Sequence, residues 1–212
     1  MSLLKDVLKK LQRKQPFTVA NIFTNIPKVS EYHLLPTDVK TFVETVITSG
    51  LKSNKNARVK RATKVPLQQD FWQLSYETIV QLRTAVENMD LETVFTLVYG
   101  ITEKELNHME LFNCFACYQW VTDQLLEINK VEKECLGDEP SIEQKNAGVE
   151  ELEQFGYANS LDMLAGGDIL KYDAILLKPY AVIFRKLYME KVKQDIHKRY
   201  LEYVSRKTKR NS

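Results

Sequence analysis

Seven glycines and six prolines are spread over 212 residues, and this scarcity of breakers constrains the fold more than any other feature. Glycine and proline punctuate a chain more strongly than other residues. Where they are sparse, apolar residues recurring at three- and four-residue spacing mark the faces of helices. The chain is therefore expected to be mainly α. A hydrophobic content of 44% against 27% charged is ordinary for a globular chain, and the length fits one or two domains with real cores. No apolar run approaches the ~18–20 residues of a membrane span, and lysines interrupt the leucines of Ser2–Lys14, unlike a signal-peptide core. Cys114, Cys117 and Cys135 form an odd set that suits a reducing compartment better than a disulfide framework. The expected location is inside a cell.

Residues 1–51 read as a small N-terminal unit of three helices. Leu3, Leu4, Val7, Leu8 and Leu11 mark the first helix, and Thr18–Asn25 is a short second one ended by Pro27. The third begins near Pro36 or Thr37, carries Val39, Phe42, Val43, Val46 and Ile47 on one face, and closes at Gly50. Residues 52–66 form a basic linker or wing, and 67–212 a larger helical bundle. There Ser75 caps a helix with Tyr76, Ile79, Val80, Leu82 and Val86 inward. Leu91–Tyr99 is a helix ended by Gly100, and Thr102 with Glu105 has the spacing of a capping box. The helix this box opens is expected to run to about Lys133, and the stretch from Gly137 to Pro140 ends it. Ser141 with Gln144 is a second box, Glu150–Phe155 an acidic turn, and Asn159–Leu164 a helix closed by Gly166 and Gly167. The last helix is expected from Tyr180 to about Lys207, just past Pro179.

In that helix Phe184, Tyr188, Val192, Ile196, Tyr200 and Val204 recur every fourth residue, so the row drifts about 40° per step around a 3.6-residue turn. A straight helix so patterned meets different neighbours at its two ends, either within its own core or by ending on another subunit.

Charge is sorted along the chain although the formal net is only +2. Residues 1–51 carry a net +3, 52–64 +6, 67–154 −13, 155–177 −2 and 178–212 +8. Segregated opposite fields favour contact with oppositely charged partners or between copies. Glu150, Glu151 and Glu153 supply acidic candidates for such contact. Phe184, Tyr188 and Tyr200 supply aromatic anchors, and Arg199, Arg206, Lys207 and Arg210 the cations.

Motifs that would carry chemistry read better as structure, so no enzyme, cofactor, metal or small-molecule substrate is expected. Cys114 and Cys117 have the C-x-x-C spacing, but the surrounding sequence LFNCFACYQW is apolar and suits buried thiols. Only Cys135 and the scattered His33, His108 and His197 could complete a zinc set. The three glutamates at 150, 151 and 153 have no neighbour placed to split their acidities. Gly166-Gly167-Asp168 lacks the Lys-Ser/Thr of a P-loop and reads as a turn with an N-cap.

The N-terminal unit followed by SNKNARVKRATK has the outline of a winged helix, in which a third helix reads DNA and a basic hairpin touches phosphates. Lys40, Lys55, Arg58, Lys60 and Arg61 would be the contacts, with Asp38 and Glu44 opposing them. A basic arm docking on an acidic protein surface explains the same residues.

The segments Phe71–Tyr76, Glu150–Gly156, Asn159–Ala165, Gly167–Asp173 and Pro179-Tyr180 resemble small helical virion proteins of tailed bacteriophages, crAss-like and related, among their head-to-tail connector and tail-ring components. The resemblance covers about residues 66–205. It implies a non-enzymatic virion subunit, assembled in the bacterial cytoplasm, that forms a ring with copies of itself. Its neighbours would be portal or tail proteins, with packaged DNA a further contact and no membrane. A DNA-binding regulator and an assembly chaperone are the alternatives.

Overall fold

Local signals place most helix boundaries. The computed structural model describes residues 28–50, 70–137 and 142–210. The helices expected over Ser2–Lys14 and Thr18–Asn25, the basic stretch with Lys55, Arg58, Lys60 and Arg61, and the Ser141 box lie outside the described residues, as do the side chains of Phe42, Val46, Ile47 and Arg210. The chain is mainly α. Its α-helices are α1 Val29–His33, α2 Thr37–Gly50, α3 Tyr76–Glu87, α4 Leu91–Tyr99, α5 Glu103–Asn107, α6 Leu111–Leu136, α7 Ile142–Asn146, α8 Tyr157–Ala165, α9 Tyr172–Leu176 and α10 Tyr180–Arg210. Tighter 3-10 turns cover Phe71–Gln73, Val149–Phe155 and Ile169–Lys171.

The caps explain these ends. Ser75 Oγ accepts the Thr78 amide at 3.1 Å and starts α3. Asp90 caps α4 by accepting the Thr93 amide at 3.0 Å, and Gly100 closes it at φ 61, where only a residue without Cβ sits free of strain. The Gly100 amide then returns to the Thr96 carbonyl at 3.1 Å, the single bond of a left-handed helix stop, and the Ile101 amide bonds the Phe95 carbonyl at 3.3 Å. Thr102 and Glu105 form the reciprocal box, with the Thr102 amide bonding Glu105 Oε2 at 3.0 Å and the Glu105 amide bonding Thr102 Oγ1 at 3.4 Å.

The helix opened by that box is not continuous to Lys133. It stops at Asn107, and α6 starts afresh at Leu111. A distant segment meets the chain at the break: Glu110 pairs with Lys28 as an isolated antiparallel bridge, and the Val29 amide bonds the Met109 carbonyl at 3.2 Å. The face of α3 also differs slightly from expectation. Tyr76, Ile79, Leu82 and Ala85 are buried, whereas Val80 and Val86 are only half-buried.

The described residues fall into two compact units, to both of which α3 and α6 contribute. One takes 28–50 and Leu82–Leu126. Its core holds Val29, Tyr32, Val39, Val43, Val94, Phe95, Leu106, Leu111, Phe115 and Val121. Tyr32 sets an edge-to-face ring against Phe115 at 5.5 Å, and Tyr118 donates its hydroxyl to the Val86 carbonyl at 2.8 Å.

The other unit takes 70–81 with Glu127–Ser212, of which 127–137 and 142–210 are described. Phe71, Tyr76, Ile79, Ile128, Leu161, Ala165, Tyr180 and Ile183 are its buried residues. Ser75 and Pro179 pair as an isolated bridge. Around it the Tyr76 amide bonds the Lys178 carbonyl at 2.9 Å and the Tyr180 amide the Leu74 carbonyl at 2.8 Å. This two-sided clamp fixes where α10 begins.

Candidate protein interaction surface

Among the described residues, aromatic packing from outside the helix falls on the first two turns of α10. Trp72 stacks on Tyr180 at 5.8 Å and meets Phe184 edge-on at 5.2 Å, and Tyr76 also lies against Tyr180 at 5.9 Å. Phe184 in turn stacks on Tyr188 at 6.4 Å. Tyr180 and Ile183 are 2% and 4% exposed, whereas along the row Tyr188 is 44%, Val192 37%, Ile196 54%, Tyr200 61% and Val204 40% exposed, with Tyr203 beside it at 66%. The fourth-residue row is thus half-buried at Phe184 and exposed at every later position. Of the two arrangements open to such a row, oblique passage through its own core does not occur over Tyr188–Tyr203.

Large exposed apolar side chains are concentrated in this unit. Among the described residues Leu34, Phe112 and Leu126 are the exposed ones of the first unit, and the other seventeen belong to the second. Single exposed apolar residues are normal, whereas clusters of them mark interaction sites. The α10 row is one cluster. A second is the turn Val149–Phe155. A 3-10 helix has three residues per turn, so positions three apart eclipse. Val149, Leu152 and Phe155 therefore form an apolar stripe, with Leu152 45% and Phe155 55% exposed, beside rows bearing Glu150 with Glu153 and Glu151 with Gln154. All three glutamates are exposed.

Charge divides α10 as well. Lys186 and Lys193 both reach Glu190, at 2.5 and 2.9 Å, and Lys191 reaches Asp195 at 2.7 Å. Bonds from the two lysines hold the Glu190 carboxyl below its usual range. The acids of the helix's first half are thus occupied. Further on, Lys198, Arg199, Arg206 and Lys207 are exposed, and Arg199 Nε donates to the Asp195 carbonyl of its own helix at 3.2 Å.

The remaining sequence candidates take structural places. Cys114 and Cys117 are fully buried; burial raises both thiols, Cys117 to about 11. Tyr99 donates its hydroxyl to the Cys117 carbonyl at 3.3 Å. Asp168 Oδ1 accepts the Leu170 amide at 3.1 Å, capping the 3-10 turn that follows Gly166 and Gly167. Lys40 lies with its ammonium 5.8 Å from the centre of the Tyr32 ring, and Glu44 accepts the Tyr32 hydroxyl. Burial, and next that bond, push the Tyr32 phenol well above its usual range. Two of the charges assigned to a DNA-reading helix therefore engage Tyr32.

Sequence reasoning missed Trp72, whose ring decides which end of α10 is buried, and the Leu152–Phe155 stripe. The three-residue period at 149, 152 and 155 was the available signal for the stripe. No family model, curated protein or solved structure matches the chain, and no described helix is long and apolar enough to cross a membrane.

Proposed function

We propose that the chain is a non-enzymatic structural subunit of an oligomeric assembly, set in the head-to-tail connector or tail ring of a tailed-phage virion. One observation carries the assembly reading: a helix whose described aromatic packing lies in its first two turns carries Tyr188, Ile196, Tyr200, Leu201 and Tyr203 exposed along its remainder, flanked by exposed cations. Large rings and arginines are the side chains that dominate protein contacts. Leaving them in water on a folded monomer wastes apolar burial that a partner would recover. The virion setting is supported by the resemblance of residues 66–205 to connector and tail-ring components.

Size-exclusion chromatography with light scattering, run at low and high salt with and without duplex DNA, tests the reading. Oligomers that dissociate as salt rises are expected. A monomer at every salt, retained by DNA in a salt-dependent way, would replace this account with the DNA-binding one. Presence of the chain in purified particles distinguishes a structural part from an assembly chaperone, which leaves before completion.

A further inference from the structure

Resting on the reading of the chain as an assembling subunit, we infer that the distal face of α10 docks on the acidic 3-10 turn Val149–Phe155 of a second copy. Ile196, Arg199, Tyr200, Tyr203 and Lys207 lie three and four residues apart, so they share one helix face. That face carries an apolar row, Ile196, Tyr200 and Tyr203, 54%, 61% and 66% exposed, with Arg199 beside it and Lys207 at its distal end. The turn offers the matching pattern, an apolar stripe of Leu152 and Phe155 beside Glu150, Glu151 and Glu153.

The partner is a second copy because one molecule cannot make this contact. The turn runs through Gly156 into Tyr157, whose ring packs on Tyr76 at 6.5 Å, and Tyr76 packs on Tyr180. The turn therefore belongs to the start of α10. At 1.5 Å per residue Tyr200 lies about 30 Å further along the helix. Pairing α10 with α10 of another copy is disfavoured by charge, since Tyr180–Arg210 holds ten basic and three acidic residues and like charges oppose association. Duplex DNA would satisfy the cations but leave the interleaved apolar stripe in water. Joining two different patches makes the contact heterologous, so it propagates into a ring or a filament instead of stopping at a dimer.

Charge reversal tests the pairing. One variant carries Glu150→Lys, Glu151→Lys and Glu153→Lys; another carries Arg199→Glu, Arg206→Glu and Lys207→Glu. Each alone should weaken self-association at low salt by at least tenfold, measured by sedimentation velocity. An equimolar mixture should restore it, because each reversed patch then meets an opposite one, and the six-fold variant should also self-associate. Loss in both single sets without restoration in the mixture overturns the pairing while leaving the assembly reading standing. A wild-type chain that stays monomeric at low salt overturns both, as does DNA binding by Arg199, Arg206 and Lys207 without self-association. Independently of charge, a photocrosslinking residue in place of Tyr200 should crosslink to a peptide containing residues 149–157 of another copy. Crosslinks confined to other peptides would refute the pairing even if a reversed variant misfolds.

Discussion

Tyr180 and Tyr200 occupy the same helix, and replacing each by alanine should have opposite consequences. Tyr180 is 2% exposed and touches Trp72 and Tyr76 at 5.8 and 5.9 Å. Truncating a buried aromatic leaves a cavity and costs about 3–5 kcal/mol. For a chain of this length, each kcal/mol lowers Tm by about 2–4 °C, so Tyr180→Ala should lower the melting of its unit by about 10 °C. Trp72 fluorescence in a Trp120→Phe background reports this unit alone. Tyr200→Ala, measured at high salt where the chain is monomeric, should change stability by less than about 0.5 kcal/mol, as for other exposed positions. Its effect should be on association. An aromatic side chain buries about 150–250 Å²; covering the exposed 61% of Tyr200 at about 25 cal/mol per Å² gives about 2–4 kcal/mol. Self-association should weaken about 50- to 600-fold. Equal destabilisation of the monomer by the two substitutions would refute the division of α10 into a folding end and a docking end.

Other expectations follow from the same structure. Phe115→Ala removes a ring 1% exposed against Tyr32 and should cost about 3–5 kcal/mol in urea unfolding. Asp90→Ala removes the acceptor of the Thr93 amide and should cost about 1 kcal/mol of stability, read in the same assay. At pH 8 iodoacetamide should label Cys135, half-buried, well ahead of Cys114 and Cys117, which are fully buried; mass spectrometry of native and urea-unfolded protein checks this. Because burial raises Cys117 from about 9 to about 11, its contribution to stability is complete below pH 9 and lost as pH rises toward 11. Urea titrations should therefore show stability falling across that interval, with less fall in Cys117→Ala. Deleting Arg206–Ser212 should weaken association measured by light scattering and leave far-UV circular dichroism per residue and thermal unfolding close to wild type.

Several helix boundaries set by a local residue were legible. Gly100, the Thr102–Glu105 pair and Gly166 each act within one turn of their own position, so spacing alone places them, whereas the short helices Val29–His33 and Tyr172–Leu176 were not read and the helix expected from Asn159 begins at Tyr157. Boundaries set from a distance were not legible. No glycine or proline lies near Met109, and the parting of α5 from α6 coincides with a bridge from Glu110 to Lys28, far away in sequence. Met89 is similar: it adopts φ 53 after α3, a left-handed conformation that glycine usually signals, so the stop carries no glycine mark. The α10 row was visible in full, yet a fourth-residue repeat is equally apolar at both ends, and only the rings of Trp72 and Tyr76 decide which end is buried. Reading Glu150, Glu151 and Glu153 for charge obscured Leu152 and Phe155 between them, because the stripe emerges only when the turn winds at three residues instead of 3.6.

Hydrogen exchange along α10 tests the central claim most directly. In dilute protein at high salt, amides of residues 196–207 should exchange fast while those of 184–187, beside the Trp72 clamp, exchange slowly. At low salt and higher concentration, 196–207 should gain protection together with 149–157, and 184–187 should change little. Slow exchange of 196–207 in the dilute monomer, or no gain in either segment when the concentration rises, would contradict the account.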